Sequence, residues 1–329
     1  MGPLLFEPYY RPQVWGGRRL ESVLGKRLPP SGQFGESWEL SAHPLHISRV
    51  RRNHELAGQD LATLWSRSKQ EFWGTSTLAP ATFPWLVKFL DCDDYLSIQV
   101  HPDDKIASEL IPSERGKTEI WVIVSAEPGA KVFIGLQPHV TRDRLRQAIQ
   151  AGSLQACLNV FTPRPGDIFF IPPGTVHSAG GGVVLAEIQT SSDATFRMYD
   201  WNRLDPNGRP RPLHIEEAFL AMNWEPHLSG RIENAPQVLA PGWITQVAAS
   251  TRDFHIESWQ IAPRTEIQVP QTGMTIITVL FGAVVLETSE SSMTLQRGET
   301  VLLPACVQSV TCSTRLESSA NLLVCSPPA

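Results

Sequence analysis

Three short stretches carry the side chains best suited to chemistry. Gly166-Asp-Ile-Phe-Phe-Ile-Pro172-Pro-Gly174-Thr-Val-His177 reads as a strand, a Pro-Gly turn and a histidine opening the returning strand. Gln99-Val-His101 is an i, i+2 pair, and such positions on a strand share one face. Lys117-Thr-Glu119 is another such pair at the start of an apolar strand. Two neutral imidazoles, a carboxylate and an amide oxygen suit a borderline divalent ion. No thiolate is offered, which argues against Cu(I) and a structural zinc finger. An ion held this way can keep a position open for water or substrate. Taken singly, each piece has an ordinary reading: a structural histidine, a polar strand face, an exposed ion pair. Their occurrence together, on separate strands, favours a site.

The elements that would position these residues follow from spacing. Phe83 to Phe89 is an apolar run bounded by Pro84 and Asp91. From Tyr95 to His101 the chain alternates, with Leu96, Ile98 and Val100 on one side and Ser97, Gln99 and His101 on the other. Ile120–Val124, Val132–Leu136, Asp167–Ile171 and Val183–Ile188 are further strand candidates. Helices are expected from Asp60, where Leu61, Leu64 and Trp65 share a face. Another is expected after Thr141, with Leu145, Ala148 and Ile149 before Gly152, and a third across Ile215, Ala218, Phe219 and Met222. Residues 1 to about 50 read as irregular strands and turns, and nearly everything after Pro241 as strand.

Composition agrees. Only 19% of the 329 residues are charged, below the usual ~25%, and there are 27 prolines and 23 glycines. That points to buried strands and many turns. The net charge of −5 and the lack of a basic run argue against nucleic-acid partners. The longest apolar stretch, Ile276–Leu286, is 11 residues and broken by Thr278, whereas a membrane span needs about 20. The start of the chain lacks a basic segment before its short apolar patch, so no secretory signal is expected. Five scattered cysteines without a CxxC fit a reducing cytoplasm.

A weak repeat suggests the architecture. Gly166-Asp-Ile-Phe-Phe-Ile-Pro172 is echoed 132 residues later by Gly298-Glu-Thr-Val-Leu-Leu-Pro304. At that offset His177 becomes Ser309 and Gly174 becomes Cys306. The fold expected is therefore mainly β, with two related β-barrels and a few short helices, the second barrel lacking the metal set. The division expected is residues 1–235, holding the site, and 236–329. His255 and Glu257 form an i, i+2 pair in the second part, read as a locally satisfied strand face. Cys306 has no suggested histidine partner.

The Gly-x5-Pro-x-Gly-x2-His pattern resembles the second motif of the cupin family of jelly-roll barrels. The usual His-x-His first motif is altered: Gln99 stands for the first histidine, and Glu119 follows His101 by eighteen residues. That variant is similar to the type I phosphomannose isomerases, in the short bacterial form without a large helical insertion. The resemblance runs in order through most of the chain. It includes Trp15-Gly-Gly17, Gly35-Glu-Ser-Trp-Glu-Leu-Ser-Ala-His43-Pro44, Leu96-Ser-Ile-Gln99-Val-His101-Pro-Asp-Asp104 and Gly116-Lys117-Thr-Glu119-Ile-Trp121. It ends with the His177 turn and Glu187-Ile-Gln189-x5-Thr195-Phe-Arg197-x-Tyr199-Asp200.

The resemblance implies one Zn²⁺ per chain, bound by Gln99, His101, Glu119 and His177. It also implies that Lys117, Glu187 and Arg197 line a sugar-phosphate pocket. The expected activity is interconversion of mannose 6-phosphate and fructose 6-phosphate through a cis-enediol. Glu187 is the candidate base, with Lys117 or a metal-bound water as alternatives, and Arg197 would stabilise an anionic oxygen. A monomer is expected. His43 and Lys88 could each belong to the pocket or be structural, and Trp15, Trp38 and Trp121 are read as core. The competing functions are a metal isomerase of another sugar phosphate such as glucose 6-phosphate, an iron dioxygenase, and a non-catalytic sugar-binding protein.

Overall fold

The structure, a computed structural model, describes residues 2–53, 55–74, 78–205, 207–225, 229–314 and 317–328. It is mainly β, with a few short helices. In the first part, one sheet has seven strands in the order Gly230–Arg231, Ile168–Ile171, Glu119–Ala126, Val183–Thr190, Trp85–Cys92, Phe34–Leu40 and Tyr9–Gly17. A second sheet has five: Leu158–Phe161, Lys131–Leu136, His177–Gly180, Ile98–Val100 and Phe196–Tyr199. One apolar core draws on both, with Leu90, Ile123 and Leu185 from the larger sheet and Val132, Ile134 and Ala179 from the smaller.

The later part repeats this plan. An eight-stranded sheet contains His255–Ile261, Ala320–Ser326, Thr275–Phe281 and Thr300–Leu303 as consecutive neighbours, and a four-stranded sheet accompanies it. A second core again draws on both sheets, with Ile277, Val301 and Leu322 against Ile267, Leu286 and Leu295. The sequence repeat marks equivalent turns. Gly166 N–H donates to Ile123 O as Gly298 N–H donates to Val279 O.

Alternation explains why the large sheets are buried on both faces. On Trp85–Cys92, Trp85, Val87 and Phe89 face a third core at the seam between the two parts. Lys88, Leu90 and Cys92 fall on the opposite, inner face. Val184, Ala186 and Ile188 do the same for Val183–Thr190, and Ile120, Val122 and Val124 for Glu119–Ala126. Ile256, Ile276, Leu302 and Leu323 supply the other side of the seam. The helix Leu61–Trp73 fills it with Leu61, Leu64, Trp65, Phe72 and Trp73. Each such side chain contributes about 1.5–3 kcal/mol by leaving water.

The expected helices are present as Leu61–Trp73, Arg142–Gln150 and Ile215–Ala221. Asp60 and Thr141 cap the first two by accepting backbone N–H bonds from Thr63 and Arg144. The irregular N-terminal reading needs correction at one place, where Arg19–Leu24 is a helical turn and a half closed by Gly25 in the left-handed region. Leu4–Phe6 and Val50–Arg52 pair into the eight-stranded sheet, Leu4 opposite Leu302 and Leu5 opposite Val301. Among the described residues, no helix is long and apolar enough to cross a membrane.

Candidate active site

The inner face of the seven-stranded sheet is where charge collects. Glu119, Glu187 and Lys88 sit on three adjacent strands, with Glu187 opposite Lys88 on one side and Trp121 on the other. The five-stranded sheet faces them with His177 opposite Gln99, and Gln99 opposite Arg197. The Pro172-Pro-Gly174 turn fixes His177. Gly174 has φ +82°, a side chain there would collide with Asn223 backbone, and its N–H donates to His101 O. One bond thus ties the turn that carries His177 to the backbone of His101. Asp103, two residues on, caps the helix Asp104–Leu110 and holds the chain leaving His101.

His101, Glu119 and His177 are buried, and one donor atom from each lies within 4.8 Å of the others. His101 Nδ1 bonds to Ala194 O and His177 Nδ1 to Thr175 O, both at 2.8 Å. A carbonyl only accepts, so each Nδ1 carries the proton and each Nε2 presents a lone pair. Those lone pairs point at the Glu119 carboxylate, at 3.1 Å from His101 and 3.6 Å from His177. His101 Nε2 and Glu119 Oε2 have no hydrogen-bond partner. Acceptors converging in a dry pocket, with no proton between them, are what a cation relieves, and the donor set fits a divalent ion. Gln99 Nε2 is 3.4 Å from His177 Nε2, while its Oε1 accepts from Ser97 at 3.0 Å. A half-turn of the amide would bring its oxygen to the same centre.

Electrostatics support this set. Burial, then His101, holds His177 down to about 3. Burial, then Lys117, also lowers His101, so both imidazoles stay neutral. Burial alone would raise Glu119, but neighbouring charge, Lys117 first, outweighs it and keeps it well below the usual carboxylate range. Lys117 Nζ lies 2.8 Å from Glu119 Oε1.

Glu187 behaves differently. Its Oε2 accepts from Trp121 Nε1 at 3.0 Å, and its Oε1 lies 3.1 Å from Lys88 Nζ. Burial, then the Glu119 charge, pushes it up to about 7 against Lys88 and Lys117. Burial alone would lower Lys88, but Glu187, Glu36 and Glu119 hold it above its ordinary value. The pair therefore keeps its proton on Lys88, with Glu187 as the weak acid.

Most of these groups line a cavity of about 370 Å³ whose wall is largely polar. Gln99, Lys117, Glu119, Glu187 and Arg197 line it, with His101 and His177 in contact behind them. Arg197 bonds Pro212 O, its Nε has no partner, and burial followed by repulsion from Arg211 lowers its pKa. Lys88 is placed in the cavity wall, which resolves its two readings. His43 is not in the wall; it pairs with Glu114 at 3.1 Å. Trp121, read as core, is buried but holds Glu187. Trp15 also touches the cavity. Arg11, Asp193 and Arg211 had no sequence signal of their own, and Glu36 entered only as part of the Gly35–Pro44 stretch. The bond Trp121 makes follows from strand register, which local spacing does not show. Cys306 is a free thiol raised by burial.

Comparison with known proteins agrees with this geometry. Residues 4–120 match the family model "Phosphomannose isomerase type I, catalytic domain". Residues 244–322 match "Mannose-6-phosphate isomerase, cupin domain". The mannose-6-phosphate isomerase of Streptococcus mutans is 34% identical over 313 residues, covering 93% of this chain and 94% of that protein. ManA of Bacillus subtilis is 30% identical over 302 residues, covering 92% and 93%. The crystal structure of the mannose 6-phosphate isomerase from Bacillus subtilis superposes with a TM-score of 0.88 at 31% identity, covering 99% of both chains. The protein belongs to the type I phosphomannose isomerases, enzymes built on the cupin fold.

Proposed function

We propose that the protein interconverts mannose 6-phosphate and fructose 6-phosphate through a cis-enediol, with zinc held by Gln99, His101, Glu119 and His177. The observation that carries this is Glu187, a buried carboxylate lining the same cavity as Glu119, which the His101 and His177 imidazoles approach from behind. Proton transfer between neighbouring sugar carbons needs a base at carbon and an electrophile at oxygen. When bound, the ion supplies Lewis acidity toward the substrate's carbonyl or hydroxyl oxygen.

The chain's own residues do the rest. Glu187 takes the proton from one carbon and returns it to the next, oriented by the Trp121 N–H and the Lys88 ammonium. Lys117 holds Glu119 ionised and turned toward the two imidazoles. Arg197, which lines the cavity, stabilises anionic oxygen on the substrate. The polar wall suits a polyol phosphate.

The supporting structure follows the same reading. The chain divides into 1–235 and 236–329, with Leu4–Phe6 and Val50–Arg52 lent to the second sheet. The protein acts as a monomer in the cytoplasm, consistent with five free cysteines. Purified protein in a coupled assay should turn over mannose 6-phosphate and leave glucose 6-phosphate largely unchanged. Arg197→Ala should lower kcat far more than it raises KM. Oxygen-dependent turnover with bound iron, or ligand binding without turnover, would overturn the proposal.

A further inference from the structure

The later part of the chain keeps a cavity of about 530 Å³. Strand register shows where it lies. Glu119 is opposite Ile171 in the first part, and Thr275 is opposite Leu303 in the second. Two residues on, Trp121 faces Glu187 and Ile277 faces Val324. Glu187 faces Lys88, and Val324 faces Glu257. On the smaller sheet Gln268 is opposite Thr311 and Val269 N–H donates to Val310 O. Continuing that register sets Pro270 against Ser309 as Gln99 sits against His177. Thr272 then takes the place of His101.

Thr275, Val324, Glu257, Pro270 and Thr272 all line the second cavity. It therefore occupies the position of the catalytic cavity, with each expected metal ligand and the expected base replaced. A hole of this size persists although Val324 and three prolines could have been larger groups closing it.

Its chemistry differs in sign. Among the described residues no Lys or Arg lines it, so nothing described there matches a phosphate. Glu257 supplies a carboxylate, steadied by Thr245 Oγ1 and Trp259 Nε1, both at 3.0 Å. His255, with the Trp259 and Thr245 bonds after it, outweighs burial and keeps Glu257 below its ordinary value. His255 Nδ1 has no partner. Pro270, Val324, Pro327 and Pro328 give apolar walls. Among the described residues the indole in the wall is Trp259, which is only 2% exposed and stacks edge-on with Trp243, so it offers no open ring face to an ammonium ion.

We infer that this cavity is a second binding site, for an uncharged sugar. A carboxylate accepts from two neighbouring hydroxyls, His255 meets a third, and the proline and Val324 walls cover the ring's C–H face. The inference stands apart from the isomerase reading, because it uses none of the catalytic residues.

The test uses methyl α-mannoside, a glycoside that cannot open and so cannot be isomerised. Titration calorimetry and saturation-transfer NMR on the full chain, with mannose 6-phosphate saturating, should show one saturable site. Glu257→Ala and Val324→Phe should each weaken it at least tenfold while leaving isomerase kcat/KM within twofold, which also reports folding. Absence of saturable binding up to about 10 mM overturns the inference, since that is already a very weak site. Displacement by mannose 6-phosphate, indifference to both variants, or preference for tetramethylammonium would also overturn it.

Discussion

At matched positions of the two large sheets, Lys88, Glu119 and Glu187 stand against Glu257, Thr275 and Val324. The surrounding architecture is the same: neighbouring antiparallel strands, a glycine turn before a short buried strand, and a core fed by two sheets. What differs is the charge each cavity must hold. The first brings four carboxylates (Glu36, Glu119, Glu187, Asp193), three guanidinium groups (Arg11, Arg197, Arg211) and two ammonium groups (Lys88, Lys117) to its wall, with two imidazoles behind it. The second has one carboxylate, tied down by a hydroxyl and an indole. Burying ionised groups is costly unless they are paired. The seam gives the second part a different task, backing the seven-stranded sheet with Ile256, Ile276, Leu302 and Leu323.

The comparison can be broken most severely at the donors. Glu119→Gln should strip the ion and lower kcat/KM by roughly a thousandfold or more, a metal catalyst being worth several kcal/mol. Thr275→Val at the mirrored position should leave both metal content and turnover unchanged. Metal analysis beside steady-state kinetics decides it, and equal losses in the two variants would contradict the division of labour.

Glu187→Gln should lower kcat by about 10²–10⁴, the usual worth of a positioned base, with little change in KM. Glu257→Gln should be silent in the same assay.

Support by the second part is a matter of stability. Ile277→Ala, fully buried in the second core, should cost about 2–5 kcal/mol in denaturant unfolding. The kcat of the folded fraction should not change. A kcat loss without a stability loss would mean that the second part acts in chemistry.

The smallest effect is expected at Trp121→Phe, which keeps the ring and removes the N–H that holds Glu187. Losing a hydrogen bond to a charged group costs about 1.5–3 kcal/mol, so kcat should fall roughly 10- to 100-fold. Trp259→Phe removes the corresponding bond to Glu257 and should leave kcat alone.

Much of this was legible in the sequence where the signal is local. The His177 turn announces itself because only Gly fits at 174, and the pairs Gln99/His101 and Lys117/Glu119 because strands alternate. The helices Leu61–Trp73 and Arg142–Gln150 show their capping residues and apolar faces. Other features depend on which distant strands meet. Leu4–Phe6 has no local mark of its pairing with Thr300–Leu303, almost the whole chain away. Trp121 looks like any buried aromatic until register sets it beside Glu187. Lys88 is one polar residue in an apolar strand, and only the neighbouring carboxylates explain it. The second cavity is the extreme case: beyond the His255/Glu257 pair its lining residues share no motif and are joined by register.

The most direct measurement is bound metal together with isomerase activity on the wild type and His177→Ala. The wild type should carry about one zinc per chain and interconvert the two hexose phosphates, with chelation abolishing turnover. His177→Ala should lose both metal and activity while unfolding cooperatively like the parent. Full activity in a metal-free His177→Ala protein would contradict the proposed site.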